Sequence, residues 1–311
     1  MATFAQTSYD SANYAASRPT YPRLLYDVVL QFHKEGQANG GSDRWNRAVD
    51  LGCGTGLSFT VIGQESILND DHEGFQTVIA VDPSSNMVQV AKESLPEHFQ
   101  SRVELRRSTA ENLSFVQDGT VDLVTAAQSA HWFDWNRVWP ELQRILKPGG
   151  TFAFWGYSGL RLTRHPELTP LLTAYSQGTD PATSLGPHWE PGRRILDNHF
   201  LDIVAPALGW ADLTRVFYTG THYPALAEPP HESKDVIIRK RMTWGGGFAG
   251  YLSTYSALHR YHDAFPADRE RVDGDIATRF RRTLMEAAGN PEETALVEVE
   301  WPLALVMVRK T

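Results

Sequence analysis

The chain of 311 residues has a single cysteine, Cys53, so no internal disulfide can staple it. No run reaches the roughly 18 apolar residues of a transmembrane helix. The opening MATFAQTSYD lacks the apolar stretch of a secretory signal. Basic excess is missing too: 29 Lys and Arg stand against 37 Asp and Glu, a formal charge of −8. That balance disfavours a general nucleic-acid binder, which needs a basic face for phosphate contacts. The one basic run, Arg239-Lys240-Arg241, is short and reads as a solvated loop or strand edge. These shortages predict a cytoplasmic protein without nucleic-acid or membrane partners. Hydrophobic residues make up 41% of the chain, enough for a substantial core. No internal repeat or low-complexity tract is visible.

Glycine, by contrast, is concentrated where it matters. Val49-Asp50-Leu51-Gly52-Cys53-Gly54-Thr55-Gly56 reads as a buried strand running into a glycine turn and then a helix. Glycines at alternate positions let a ligand lie against the backbone, because no Cβ intervenes. The spacing is G-x-G-x-G, not the G-x-G-x-x-G of a dinucleotide fingerprint, and Asp50 precedes it. An acidic residue there suits a nucleoside carrying a positive group better than a pyrophosphate. Cys53 reads as a small residue filling the turn, not as a nucleophile.

Further strands follow at residues 77–81 (TVIAV), 102–107 (RVELRR), 121–126 (VDLVTA) and 151–155 (TFAFW), separated by helical patterns. That alternation predicts βαβ units and a parallel sheet. The second strand ends in Asp82-Pro83-Ser84. Asp82 is placed to accept both ribose hydroxyls of an adenosine, and Ser84 to cap a helix whose apolar side carries Met87, Val90 and Ala91. Residues 146–150 (LKPGG) read as a helix stop and turn, and 69–76 (NDDHEGFQ) as a loop insertion. Pro140 falls inside a helical pattern of Trp135, Val138, Leu142 and Ile145 and is expected to kink or restart it. The last strand is expected over 295–308, with Pro302 marking an edge or a bulge.

The glycine turn resembles motif I of the class I S-adenosylmethionine (SAM) methyltransferases, where it holds the methionine part of SAM. Ser108-Thr109-Ala110-Glu111 resembles the segment that borders the adenine, and the order of motifs from Arg47 to Tyr157 matches that family's core. The resemblance implies an α/β, Rossmann-like fold: a mostly parallel seven-stranded sheet with helices on both faces, an N-terminal leader and a lid insertion. It implies a leader and cap helix over 1–44, a SAM-binding core over 45–157, and a lid with the last strands over 158–311. The implied cofactor residues are Asp50, Gly52, Cys53, Gly54, Gly56, Asp82, Pro83, Ser84, Met87, Thr109, Ala110, Glu111 and Gln128.

Outer motifs narrow the resemblance to the fungal trans-aconitate methyltransferase-like enzymes. They are 14–22 (YAASRPTYP), 130–134 (AHWFD), Trp155-Gly156-Tyr157, 185–190 (LGPHWE), Ile238-Arg239-Lys240, and Tyr251 with Tyr255-Ser256-Ala257. Gly245-Gly246-Gly247 departs from that family's bulkier residues and is expected to alter the pocket wall.

The expected reaction is methyl-ester formation on a small anionic acceptor. A carboxylate needs no general base, because its ordinary pKa is about 4. Spare carboxylates need cationic and hydrogen-bonding partners. Arg18, Tyr21, Trp132, Tyr157, Trp189 and Arg239 are the substrate-binding candidates. His131, just past the fourth strand, is the catalytic candidate: a base for a hydroxyl acceptor, an orienting group for a carboxylate, or a packed histidine beside Trp132. Two rival readings remain: a tailoring O- or N-methyltransferase of secondary metabolism, and a protein of this fold that binds SAM without transferring methyl. No metal is expected, since His259-x-x-His262-Asp263 falls on a lid helix without a third ligand nearby and Asp71-His72-Glu73 falls in a loop.

Overall fold

The computed structural model describes residues 10–36, 45–58, 75–220 and 233–311. Its strands are β1 (Arg47–Leu51), β2 (Thr77–Asp82), β3 (Val103–Arg107), β4 (Val121–Ala127), β5 (Leu146–Tyr157), β6 (Arg161–Leu162), β7 (Trp210–Tyr218), β8 (Ile238–Thr243), β9 (Leu296–Trp301) and β10 (Leu303–Lys310). Its α-helices are α1 (Ser11–Ser17), α2 (Arg23–Glu35), α3 (Ser85–Ser94), α4 (Trp135–Ile145), α5 (Thr169–Gln177), α6 (Arg193–Asp197), α7 (Gly246–Ser253), α8 (Ser256–Ala264) and α9 (Ile276–Ala287). The chain divides into a sheet unit (Thr20–Tyr157, Asn198–Phe217, Leu303–Thr311) and a second unit (Met1–Pro19, Ser158–Asp197, Tyr218–Pro302).

The sheet unit is built on seven strands in the order β3-β2-β1-β4-β5-β10-β7. β1 to β5 pair in parallel, and β10 joins β5 antiparallel. β4 lies in the middle and is buried at every residue, as a parallel strand covered on both faces must be. Helices α2, α3 and α4 pack on these strands. α2 starts behind Pro22 and buries Leu25, Tyr26, Val29, Phe32 and His33, one helical stripe. At the opposite end from the glycine turn, Asp122 accepts from Asn46 N and Arg47 N and pairs with Lys147 Nζ at 2.6 Å, tying β1, β4 and β5 together. The chain runs outward from β1 to β2 and β3, then crosses to β4 and β5. The order therefore reverses between β1 and β4, and the strands' carboxyl ends at that switch point are where ligands bind in such sheets.

Three local expectations change. Residues 146–150 do stop α4, but they enter β5 directly: Val121 pairs with Leu146, with a register shift before Leu123. Pro140 neither restarts nor ends α4, which runs unbroken to Ile145. Without an N–H, Pro140 cannot bond the carbonyl of Asn136 four residues back, and Asn136 is an exposed residue. Pro302 is neither edge nor bulge. It divides the expected last strand into β9 and β10, which belong to different sheets, because a residue without an N–H cannot continue a ladder. The insertion over 69–76 lies outside the described residues but for its last two.

The second unit contains an antiparallel sheet ordered β6-β9-β8. Helix α1 is capped by Asp10, and Asn13 Nδ2 bonds Gly250 O and Ser253 Oγ on α7 at 3.3 and 2.9 Å. Lys240 on β8 places its ammonium at the carboxyl end of α1, within 3.1–3.4 Å of the carbonyls of Ala16, Ser17 and Arg18. That arrangement complements the negative end of the helix. Arg239 and Arg241 pair with Glu300 and Glu298 of β9, so the whole basic run is engaged within this unit. The triple glycine opens α7 against β8: a Cβ on Gly247 would fall 2.8 Å from Met242 Cβ, and one on Gly245 3.1 Å from Glu293. This packing crowds a side chain at Gly247 and Gly245, while a Cβ on Gly246 would meet nothing within 4 Å.

Candidate cofactor and acceptor sites

The glycine turn leaves β1 with three residues in the left-handed region: Gly52 at φ 66°, Gly54 at φ 54° and Gly56 at φ 91°. The glycines serve different ends. A Cβ on Gly52 would strike Ser129 Cβ at 2.5 Å, whereas one on Gly54 would meet nothing within 4 Å. Gly52 is thus a packing requirement, and Gly54 opens onto free space. Thr55 Oγ1, buried beside it, makes no hydrogen bond among the described residues. An open backbone cradle with an unsatisfied hydroxyl fits the polar methionine part of SAM.

Two carboxylates underlie the turn. Asp50 is 1% exposed, and it accepts from Ser58 Oγ at 2.6 Å and from Thr125 Oγ1 at 2.7 Å. Burial pushes its pKa up to about 6, against the pull of both hydroxyls and with a smaller push from the charge on Asp82. Asp82 ends β2. Its Oδ2 accepts from Gly54 N at 3.0 Å and its Oδ1 from Ser84 N at 2.8 Å, so it stitches the turn to the start of α3. Burial raises its pKa, and the two peptide N–H groups oppose the rise. Cys53 lies between these anions. Burial first, then the charges of Asp50 and Asp82, push its thiol well above the ordinary value, which keeps it protonated and inert.

The other sequence candidates of the sheet unit fall around the same carboxyl ends. Ser84 Oγ accepts from Met87 N at 3.4 Å, and Pro83 O accepts from Arg107 Nε. Ser108 N donates to Asp82 O, which sets the Thr109-Ala110-Glu111 turn beside β2, with Ala110 buried. Glu111 accepts from Asp134 N at 3.0 Å and so anchors the start of α4. Gln128 follows β4 at φ 52°, and its amide clasps Tyr157 through both N and O, at 2.7 and 3.0 Å. His131 sits in the 3-10 turn Ala130–Trp132, buried, with its ring 4.9 Å from that of Trp132. Tyr21 packs on Trp155 and Tyr157, at 5.7 and 6.4 Å between centroids. Tyr21 and Tyr157 are therefore brought together.

Arg18, Trp189 and Arg239 belong to the second unit. Arg18 is 9% exposed, donates to Thr254 O at 3.1 Å, and lies 4.9, 5.2 and 5.8 Å from the rings of Tyr14, Tyr251 and Tyr255. Trp189 packs against Tyr255 at 5.3 Å. Arg239 stands apart from these, half-exposed in its ion pair with Glu300. Among the described residues no group of His, Cys, Asp or Glu is arranged to hold a metal. His262 instead lies 3.3 Å from Asp275, and Asp71-His72-Glu73 is outside the described residues.

Sequence reasoning missed the hydroxyls that organise the turn: Thr55, Ser58, Thr125 and Ser129, the last donating to Leu51 O at 2.6 Å. Thr125 becomes recognisable only through register, since it is the partner of Asp50 across β1 and β4. Arg193, Tyr251, Tyr255 and Tyr175 of the second unit were missed as a group, because they come from three separated segments.

Comparison with known proteins agrees with this geometry. A methyltransferase domain family matches residues 49–154. The chain is 30% identical to "Probable S-adenosylmethionine-dependent methyltransferase CRG1" of Saccharomyces cerevisiae, over 99% of this chain and 98% of that protein. It is 27% identical to methyltransferase cfoB of Aspergillus candidus, over 67% of this chain and 64% of the other. A solved structure described as "a Putative Type II Methyltransferase from Anaeromyxobacter dehalogenans" superposes with a TM-score of 0.62 at 26% identity, covering 94% of this chain and 97% of that one. When bound, SAM supplies an electrophilic methyl group on a positively charged sulfur. With the Rossmann-like sheet, the cradle at Gly54 and near full-length similarity all in agreement, the chain belongs to the class I SAM-dependent methyltransferases.

Proposed function

We propose that the protein is an O-methyltransferase that forms a methyl ester on a small carboxylate, with a trans-aconitate-like polycarboxylate as the model acceptor. The observation that carries this reading is Arg18, a buried guanidinium set among three tyrosine rings in the second unit. A buried cation is costly unless something anionic or π-rich faces it, and Arg presents a fork that matches a carboxylate. On the cofactor side, the chain's part is to bind and orient. Gly52, Gly54, Gly56, Cys53 and Thr55 hold the methionine part by their backbone and hydroxyl. Asp82 receives the ribose, with Pro83, Ser84 and Met87 shaping its surroundings. Thr109, Ala110 and Glu111 border the adenine, Gln128 holds the end of β5, and Asp50 sets a negative charge beneath the turn.

For the acceptor, a carboxylate is ionised at neutral pH, so no group of this chain has to remove a proton. Tyr21, Trp132, Tyr157, Trp189 and Arg239 are the remaining candidates for acceptor contact, with His131 as an orienting group. A second reading is favoured by His131 itself, buried just past β4: as a base it would serve a hydroxyl acceptor. The test is incubation with methyl-labelled SAM and a panel of carboxylates, phenols and amines. Label confined to base-labile esters is the expected result. Label in base-stable ethers or amines refutes the ester reading.

A further inference from the structure

Arg193 on α6 commits only one nitrogen to the protein. Its Nε donates to both oxygens of Asp197, one turn on, at 2.8 and 2.9 Å. Neither terminal nitrogen donates to a described residue. The guanidinium lies 4.3 Å from the ring centroid of Trp189. A cation over an aromatic ring keeps the edge donors of its fork available.

Next to it runs a hydrogen-bond chain. Trp301 Nε1 can only donate, and it does so to Tyr251 Oη at 2.7 Å. The Tyr251 and Tyr255 rings stand edge to face at 5.4 Å, and their hydroxyls bond one another. Trp189, which carries Arg193 over its face, packs against Tyr255 at 5.3 Å. Arg193 and Arg18 both act on the Tyr255 hydroxyl. Burial pushes it up to about 12, and the two guanidinium charges oppose the rise. Tyr175, within the electrostatic reach of Tyr255, carries a buried hydroxyl with no partner among the described residues.

The two outer nitrogens of Arg193 and the Tyr175 hydroxyl are therefore donors without a described acceptor, with the Tyr255 hydroxyl within their electrostatic reach. A buried donor such as the Tyr175 hydroxyl is rarely left so. Their missing partner is rich in acceptors and negatively charged, and a planar fork favours a planar one. We propose that this cluster, wholly within the second unit, binds a carboxylate group of a small polycarboxylate, with Arg193 and Tyr255 as the donors. The proposal rests on the methyl-ester reading for its link to catalysis: the group held is a carboxylate other than the one methylated.

The test is calorimetric titration of the full chain with tricarballylate, its neutral trimethyl ester and inorganic phosphate. Wild type, Tyr255→Phe and Arg193→Lys are compared, with SAM affinity as the control for folding. Tricarballylate should bind the wild type more tightly than the triester or phosphate does. Tyr255→Phe should weaken it by about 10-fold and Arg193→Lys by about 10- to 100-fold, the range for hydrogen bonds to a charged group. SAM binding should stay within about twofold. Binding of the triester or phosphate equal to that of tricarballylate overturns the proposal, as does no binding of tricarballylate or equal binding by both variants. Methyl transfer is scored separately. Cluster-dependent tricarballylate binding with no ester formed leaves the site standing and removes the ester reading. Ester formation with KM unchanged in both variants does the reverse.

Discussion

Thr125 Oγ1 donates to Asp50 Oδ1 at 2.7 Å between register partners on neighbouring strands, while Ser58 holds the other oxygen at 2.6 Å. Both oxygens of Asp50 are thus committed inside the protein. Two hydroxyls fix its carboxylate under the turn. That charge is expensive, since burial moves its pKa from 3.8 to about 6. In this window the folded chain keeps a proton that the unfolded chain has released. The stabilisation from that proton is complete below 3.8 and is lost as pH rises through 6, by about 3 kcal/mol in all. Asp50→Asn should escape this loss and gain stability relative to wild type between pH 4.5 and 7.5 in urea unfolding. It should also bind SAM less tightly at pH 7.5, because a cation no longer finds the carboxylate. Identical pH slopes for wild type and variant would refute the assignment.

The two glycines of the turn should separate folding from binding. Gly52→Ala combines a left-handed φ of 66° with a Cβ 2.5 Å from Ser129 Cβ, and it should destabilise the fold by about 2 kcal/mol or more. Gly54→Ala carries the left-handed strain alone, about 1–2 kcal/mol. Its methyl, however, enters the open cradle. Thermal melts should show the larger loss for Gly52→Ala. Titration with SAM should show the larger affinity loss per unit of stability for Gly54→Ala.

The core strands were legible in the sequence because each carries its own signal: β-branched runs, alternation in β3, and Asp near the ends of β1 and β2. Pro302 was visible as a disturbance, but that it separates two sheets depends on long-range pairing of β9 with β8 and of β10 with β5. The cofactor turn was legible because glycine spacing is local. The hydroxyl partners of Asp50 were not, since Ser58 and Thr125 are ordinary residues until register brings them to it. Likewise Arg193 looked like one charge among 29 Lys and Arg until folding set it over Trp189.

On the proposed reading Asp82 would have two duties, bracing the turn and receiving the ribose, which a substitution should expose. Its oxygens already accept from Gly54 N and Ser84 N, and each has a further lone pair for a ribose hydroxyl. Asp82→Ala removes both functions and should weaken SAM binding by at least about 1.5–3 kcal/mol, the worth of hydrogen bonds to a charged group. It should also lower the melting temperature of the protein without ligand. Unchanged SAM affinity in calorimetry would remove the ribose role.

Gln128 stores strain to hold Tyr157. Its left-handed φ of 52° is unfavourable for a side chain with a Cβ, and its amide repays this with two bonds to the Tyr157 backbone. Gln128→Ala keeps the strain and loses the bonds, about 1–3 kcal/mol together. Gln128→Gly loses the same bonds but releases the strain. The glycine variant should therefore melt above the alanine variant, an order opposite to that expected at an unstrained position, where glycine is the worse choice.

His131 discriminates between the acceptor classes. Its ring is buried against Trp132 in the middle of the 3-10 turn, and under the hydroxyl reading it would be the base. Removing a general base costs about 10²- to 10⁴-fold in rate and abolishes the rising limb that its titration gives to the pH profile. A carboxylate acceptor has no proton to lose. His131→Gln should then lower kcat by less than about 10-fold, leave the shape of the kcat/KM profile between pH 6 and 9 unchanged, and raise KM if the ring orients the acceptor. A collapse of kcat together with loss of the rising limb would transfer the activity to hydroxyl chemistry, with His131 as its base.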